Sequence, residues 1–193
     1  MLNGTAELRS ASMHKAILSC IVASTGGNLL KARQLLFLMN RKRFEELRRN
    51  VLDKFNNLEM LMNLAISAYY FKEVNKDFIF RVLNNSFCST SLRIDILLKI
   101  IKDSDEKRKN KMETDIKQMS NIRNYFAHIT PQYFDEGEEI TMEKVGWFPH
   151  PKDPSKRLNL EEEHEKFFEL EKGSNPYIIH VCTILGVKFP VKF

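Results

Sequence analysis

Toward the middle of the chain, one stretch reads Ile122-Arg123-Asn124-Tyr125-Phe126-Ala127-His128-Ile129. It places a guanidinium, an amide and an imidazole within six residues. A guanidinium binds anions, and an imidazole exchanges protons near neutral pH. A helix advances about 100° per residue, so Ile116, Met119, Ile122, Phe126 and Ile129 form one stripe that should face a core. Asn124 and His128 are four residues apart and share a face roughly opposite that stripe. Arg123 points elsewhere, but its long side chain can reach around the helix. Thr130-Pro131 ends the segment, because proline disfavours helix in the residue before it. His128 therefore falls at a helix C-terminus, where the macrodipole favours imidazolium. A histidine in that place can equally be a helix cap without chemistry, and spacing alone does not choose between the two.

Other chemistry-bearing residues do not assemble into a second motif. His14, His150, His164 and His180 are scattered, and Glu161-Glu162-Glu163-His164 lacks a second histidine at metalloprotease spacing. No metal and no other cofactor is expected. The three cysteines, Cys20, Cys88 and Cys182, are odd in number and form no Cys-x-x-Cys pair. That argues against a zinc ribbon, a redox motif or a disulfide framework, and fits a reducing compartment. They read as buried small hydrophobes.

The elements that must position Arg123 and His128 are helices. Seven Gly and six Pro in 193 residues are few, which favours long helices over a turn-rich β fold. From Arg41 to about Phe71, apolar residues recur at Phe44, Leu47, Val51, Phe55, Leu58, Met62, Ala65 and Tyr69, in steps of three and four that predict a long first helix. Asp77 to about Asn84 predicts a short second one. A third, almost wholly apolar, runs from Thr90 or Ser91 to about Ile101, with Ser91 as its N-cap. Asp103 to Lys111 is densely charged and reads as a solvated connection or a frayed helix end. The fourth helix spans about Met112 to His128. Beyond Pro131 the pattern changes to acidic residues and prolines, with a short strand expected at Ile140–Val145. A helix from Leu158 to Glu171 and a final apolar segment from Pro176 to Leu185 follow.

The fold expected is all-α, a bundle of four or more helices at residues 39–130, with a partly irregular C-terminal extension at 131–193 packing on it. Residues 1–38 read as an N-terminal extension. Gly4 to Ser12 has the texture of a cloning-derived linker, and Met39 precedes the first strong amphipathic pattern as a candidate start. The apolar run Ala16–Ala23 is too short to span a bilayer, so no membrane association is expected and the expected location is the cytoplasm. Net charge is +5 and the pI about 9.0, but residues 1–38 hold four basic side chains and one acid. The remainder has 26 basic against 24 acidic, a surplus of two. Nucleic-acid binding would have to come from local patches, of which Arg41-Lys42-Arg43 with Arg48-Arg49 is one and Lys107-Arg108-Lys109 with Lys111 another. Both read equally as solubilising faces.

The Arg123-Asn124-x-x-Ala127-His128 segment is similar to the Arg-x4–6-His signature of the HEPN superfamily. The third-helix run Ser91-Leu92-Arg93-Ile94-Asp95-Ile96-Leu97-Leu98-Lys99-Ile100 also resembles that family, over a span of about 90 residues from Met39 to Ile129. The resemblance implies a helical bundle that pairs as a homodimer. It also implies a metal-independent endoribonuclease acting on RNA in a toxin–antitoxin or phage-defence setting, where an antitoxin or regulatory protein would be a partner. His128 would then be general acid or base, Arg123 a phosphate clamp, and Asn124 would orient His128 or bond the phosphate. Tyr125 would stack on a base or simply pack, and Arg41, Lys42 and Arg43 would hold RNA backbone. The stretch from Ser91 to His128 also resembles the mannitol operon repressor family, which implies a non-catalytic regulatory or interaction protein instead.

Overall fold

The computed structural model describes residues 19–21, 23–26, 28–85, 88–101, 106–128, 147–150 and 153–189. Among the described residues, the principal helices follow the order α1 (Leu29–Phe71), α2 (Lys76–Phe78), α3 (Thr90–Ile100), α4 (Glu106–His128) and α5 (Leu160–Ile184). A π-helical turn, Ile79–Leu83, continues α2, and two strands, β1 (Trp147–His150) and β2 (Asp153–Asn159), precede α5. The architecture is an all-α helical bundle with one hairpin. None of the described helices is long and apolar enough to cross a membrane.

The chain divides into two compact units, one of Met1–Arg48 with His128–Glu161 and one of Arg49–Ala127 with Glu162–Phe193. In the first, helical residues 19–21 and 23–24 precede Gly26, whose φ of 62° is left-handed and costs glycine little. Asn28 then caps α1, its Oδ1 accepting from the Lys31 N–H at 3.1 Å. This cap starts the helix at Leu29, well before the expected Arg41, and α1 runs through Met39 without a break. Ile21, Phe44, Leu47 and Leu160 are buried. The hairpin pairs Trp147 with Asn159 and Phe148 with Leu158, antiparallel, with an irregularity between Pro149 and His150. The strand expected at Ile140–Val145 lies outside the described residues. Asn159 ends β2 and caps α5 through its Oδ1, which accepts from the Glu161 N–H at 3.1 Å.

The second unit is built around the rest of α1. Val51, Phe55, Leu58, Met62 and Ala65 are fully buried, as their spacing predicts. Every residue from Met62 to Ala68 is buried, so this part of α1 is enclosed on all sides. Each other helix of the unit touches it through a named pair. Asn63 Nδ2 donates to Asn84 Oδ1 after the π turn, and the Asn75 N–H, ahead of α2, donates to Ser67 Oγ. Glu59 meets Arg93 of α3, Phe55 lies beneath Arg123 of α4, and Leu61 O accepts from Cys182 Sγ of α5.

Local signals explain where the other helices begin and end. The cap of α3 is Ser89, not Ser91: its Oγ accepts from the Leu92 N–H at 3.2 Å. α4 starts at Glu106, so much of the charged stretch expected as a connection is helix. Mixed charges solvate one face, while Met112, Ile116, Met119, Ile122 and Phe126 bury the other; Ile129, the last residue of the expected stripe, lies outside the described residues. α5 continues through Gly173 and Pro176, where two separate segments were expected. Proline removes one intrahelical hydrogen bond and crowds the preceding turn. Here Phe167, Ser174, Tyr177, Ile178, Val181 and Cys182 form one buried stripe spanning the break, and their burial offsets that cost. The helix closes in a Schellman motif around Gly186 (φ 84°), with Val187 N–H on Cys182 O at 2.9 Å and Gly186 N–H on Thr183 O at 3.0 Å.

Candidate functional site

Arg123, Asn124, Tyr125 and His128 occupy the last turns of α4. Phe126 is fully buried and fixes the rotation of the helix. Arg123, Asn124 and Tyr125 are half-buried, and His128, the final helical residue, is exposed. The exposure of His128 agrees with its place away from the apolar stripe, one turn beyond Asn124.

Arg123 has two neutral neighbours. Its Nη1 donates to Asn124 Oδ1 at 3.0 Å, and its Cζ lies 5.3 Å from the centroid of the Phe55 ring, within cation–π range. Among the described residues no carboxylate pairs with it. Arg93 provides a contrast within the same unit. It is 7% exposed, its Nη1 sits 2.8 Å from Glu59 Oε1, and its Nη2 donates to Leu83 O. Thr90 Oγ1 donates to the same carboxylate oxygen at 2.5 Å. Arg93 is neutralised and belongs to the fold. Arg123, at a half-buried position, has no counter-charge among the described residues.

The remaining candidates sort by their partners. The Tyr125 phenol is shifted above its ordinary range, chiefly by burial and further by the negative charge of Glu163. In the first unit, Arg43 makes a two-pronged bridge to Glu161, Nε to Oε1 at 2.8 Å and Nη2 to Oε2 at 3.0 Å, and lies 3.7 Å from Glu46. Arg41 and Lys42 are exposed and carry no ion pair among the described residues. Of the second basic cluster, Arg108 stacks over Tyr177 with its Cζ 4.3 Å from the ring centroid. Lys111 binds Asp115 at 2.6 Å. Arg108 thus joins α4 to α5, while Lys111 pairs within α4.

Among the described residues no group of three or more His, Cys, Asp or Glu could hold a metal ion. Cys88 and Cys182 are buried and Cys20 is exposed, against the expectation that all three would be buried. Burial pushes the Cys182 thiol up to about 12, so it is inert as a nucleophile.

One residue enters the site that spacing did not reveal. Phe55 read only as a core residue of the first helix, and nothing in its sequence neighbourhood marks the arginine above it. Asn124, singled out in the sequence to orient His128 or bond a phosphate, has its Oδ1 taken by Arg123 Nη1. Comparison of the chain with protein-family models, curated proteins and solved structures gave no match.

Proposed function

We propose that the chain is a metal-independent endoribonuclease of HEPN type, acting in the cytoplasm as a toxin or phage-defence component. The observation that carries this reading is Arg123: a half-buried guanidinium with only neutral partners among the described residues, five residues before an exposed histidine at a helix end. An arginine so placed attracts a phosphate, and its planar fork matches two phosphate oxygens. In the reaction, the ribose 2′-oxygen attacks the adjacent phosphorus and the bond from phosphorus to the 5′-oxygen breaks. The attacking hydroxyl loses a proton to a base, and the leaving oxygen gains one from an acid. His128 supplies one of these transfers as imidazole or imidazolium. Arg123 balances the charge that develops on the phosphoryl oxygens, and exposed Arg41 and Lys42 attract the RNA backbone.

The test is cleavage of single-stranded RNA by purified protein in EDTA. The expected products carry a 2′,3′-cyclic phosphate on one fragment and a 5′-hydroxyl on the other. Absence of cleavage by the wild type between about pH 6 and 8, the range in which imidazole titrates, would remove this reading. It would leave a non-catalytic regulator of the mannitol operon repressor type.

The same reading includes a homodimer, since the resemblance implies sites that meet across two copies and Asn124 and His128 avoid the core stripe. Light scattering at micromolar concentration should give about twice the chain mass of 22.7 kDa. A strict monomer would sink the dimer and weaken the nuclease with it.

A further inference from the structure

Two of the arginines at helix–helix contacts in the second unit, Arg93 and Arg123, are held in opposite ways. Arg93 is locked by charge, through Glu59 and the Leu83 carbonyl. Arg123 is held on one edge by the Asn124 amide oxygen at 3.0 Å and lies over the ring of Phe55 at 5.3 Å. Phe55 is fully buried, so the ring is a fixed surface, set by α1 and not by α4. The hydrogen bond uses Nη1. The opposite edge of the guanidinium, Nε with Nη2, has no partner among the described residues. That edge presents two parallel N–H groups, the arrangement that takes two oxygens of one phosphate.

We infer that Phe55 and Asn124 are positioning residues that hold the Arg123 guanidinium flat and leave its Nε–Nη2 edge open to a phosphate. This rests on the nuclease reading for its biological meaning, but the geometry is independent of cleavage. A carboxylate in place of Asn124 would grip the arginine more firmly and cancel the charge needed for the phosphate. A neutral amide and a neutral ring restrain the group and preserve its charge. Phe55 thereby acts through Arg123, from a helix that carries none of the motif.

The experiment replaces Phe55 by mono-, di- and trifluorinated phenylalanine. These keep the ring's shape and progressively remove the negative charge on its face, which is what attracts the cation. Two readouts are taken. One is NMR of isotope-labelled arginine, which reports rotation of the Arg123 guanidinium and its shift on titration with dimethyl phosphate. The other is the rate of oligouridylate cleavage in EDTA. The inference expects faster guanidinium rotation and weaker dimethyl phosphate binding at each fluorination step, reaching about fivefold at the last. Melting should not fall, whereas a purely structural ring would show no trend with fluorination. Asn124→Ala should free the rotation as well, and Asn124→Gln should restore part of the restraint. If the guanidinium signals ignore both fluorination and Asn124→Ala, the inference is overturned, whether or not RNA is cut. If they respond while the wild type cuts no RNA, the positioning role stands and the nuclease reading falls.

Discussion

The His128→Ala variant is expected to cleave RNA roughly 10²–10⁴-fold more slowly than the wild type, while keeping its fold. His128 is exposed at the last position of α4, so its removal opens no cavity. The loss in stability should stay within about 1 kcal/mol, the scale of a charged side chain at a helix end. Arg123→Ala should reduce cleavage to a similar degree. Arg123→Lys should recover little, because an ammonium cannot offer two parallel N–H groups to one phosphate. Initial rates on single-stranded RNA in EDTA, beside thermal melts of the same samples, separate lost chemistry from lost structure. Equal cleavage by wild type and His128→Ala would mean that the activity lies elsewhere or comes from a contaminant.

The largest effect on stability is expected at Glu59, on a residue with no part in the proposed chemistry. Glu59 Oε1 accepts from Arg93 Nη1 at 2.8 Å and from Thr90 Oγ1 at 2.5 Å, and Arg93 is buried. Glu59→Ala leaves that guanidinium in the interior with the Leu83 carbonyl but without a counter-charge. Stranding a buried charge in this way costs about 3–5 kcal/mol, against a total stability of about 5–15 kcal/mol for a domain. Glu59→Gln, which keeps an accepting oxygen, should lie between the two. Urea denaturation monitored by circular dichroism measures the difference. A loss below about 1 kcal/mol for Glu59→Ala would show that water reaches Arg93 and that the pair is not a buried one.

The long first helix and the end of the fourth were legible because burial on one face repeats in the sequence with the period of the helix. Val51, Phe55, Leu58 and Met62, like Ile116, Met119, Ile122 and Phe126, are buried as their spacing implies. Punctuation was read less well. Pro176 looked like a boundary because proline's effect is local, but the stripe from Phe167 to Cys182 that carries α5 across it is a tertiary property. Asn28, which caps α1, lies upstream of the change of pattern at Met39 on which the expected start rested. Arg93 shows the main gap. In sequence it is one polar residue in an apolar helix, and its burial depends on an acid 34 residues away and on a carbonyl of the π turn. The motif residues themselves could be picked out by type and spacing. Which atom Asn124 would bond, and which ring would lie beneath Arg123, depended on rotamers and on a second helix.

Glu59, Asn63 and Ser67 stand four residues apart on α1, and each takes a different polar partner: Arg93, Asn84 and Asn75. Apolar stripes tolerate sliding, because one leucine-sized side chain resembles the next. This ladder does not. If α3 slid along α1 by one helical turn, about 5.4 Å, the guanidinium would come level with Asn63, an amide that cannot neutralise it, and Glu59 would face nothing. The three rungs work like the cuts of a key. They raise the energy of compact but misaligned chains during collapse, and leave one alignment of the helices well below the rest.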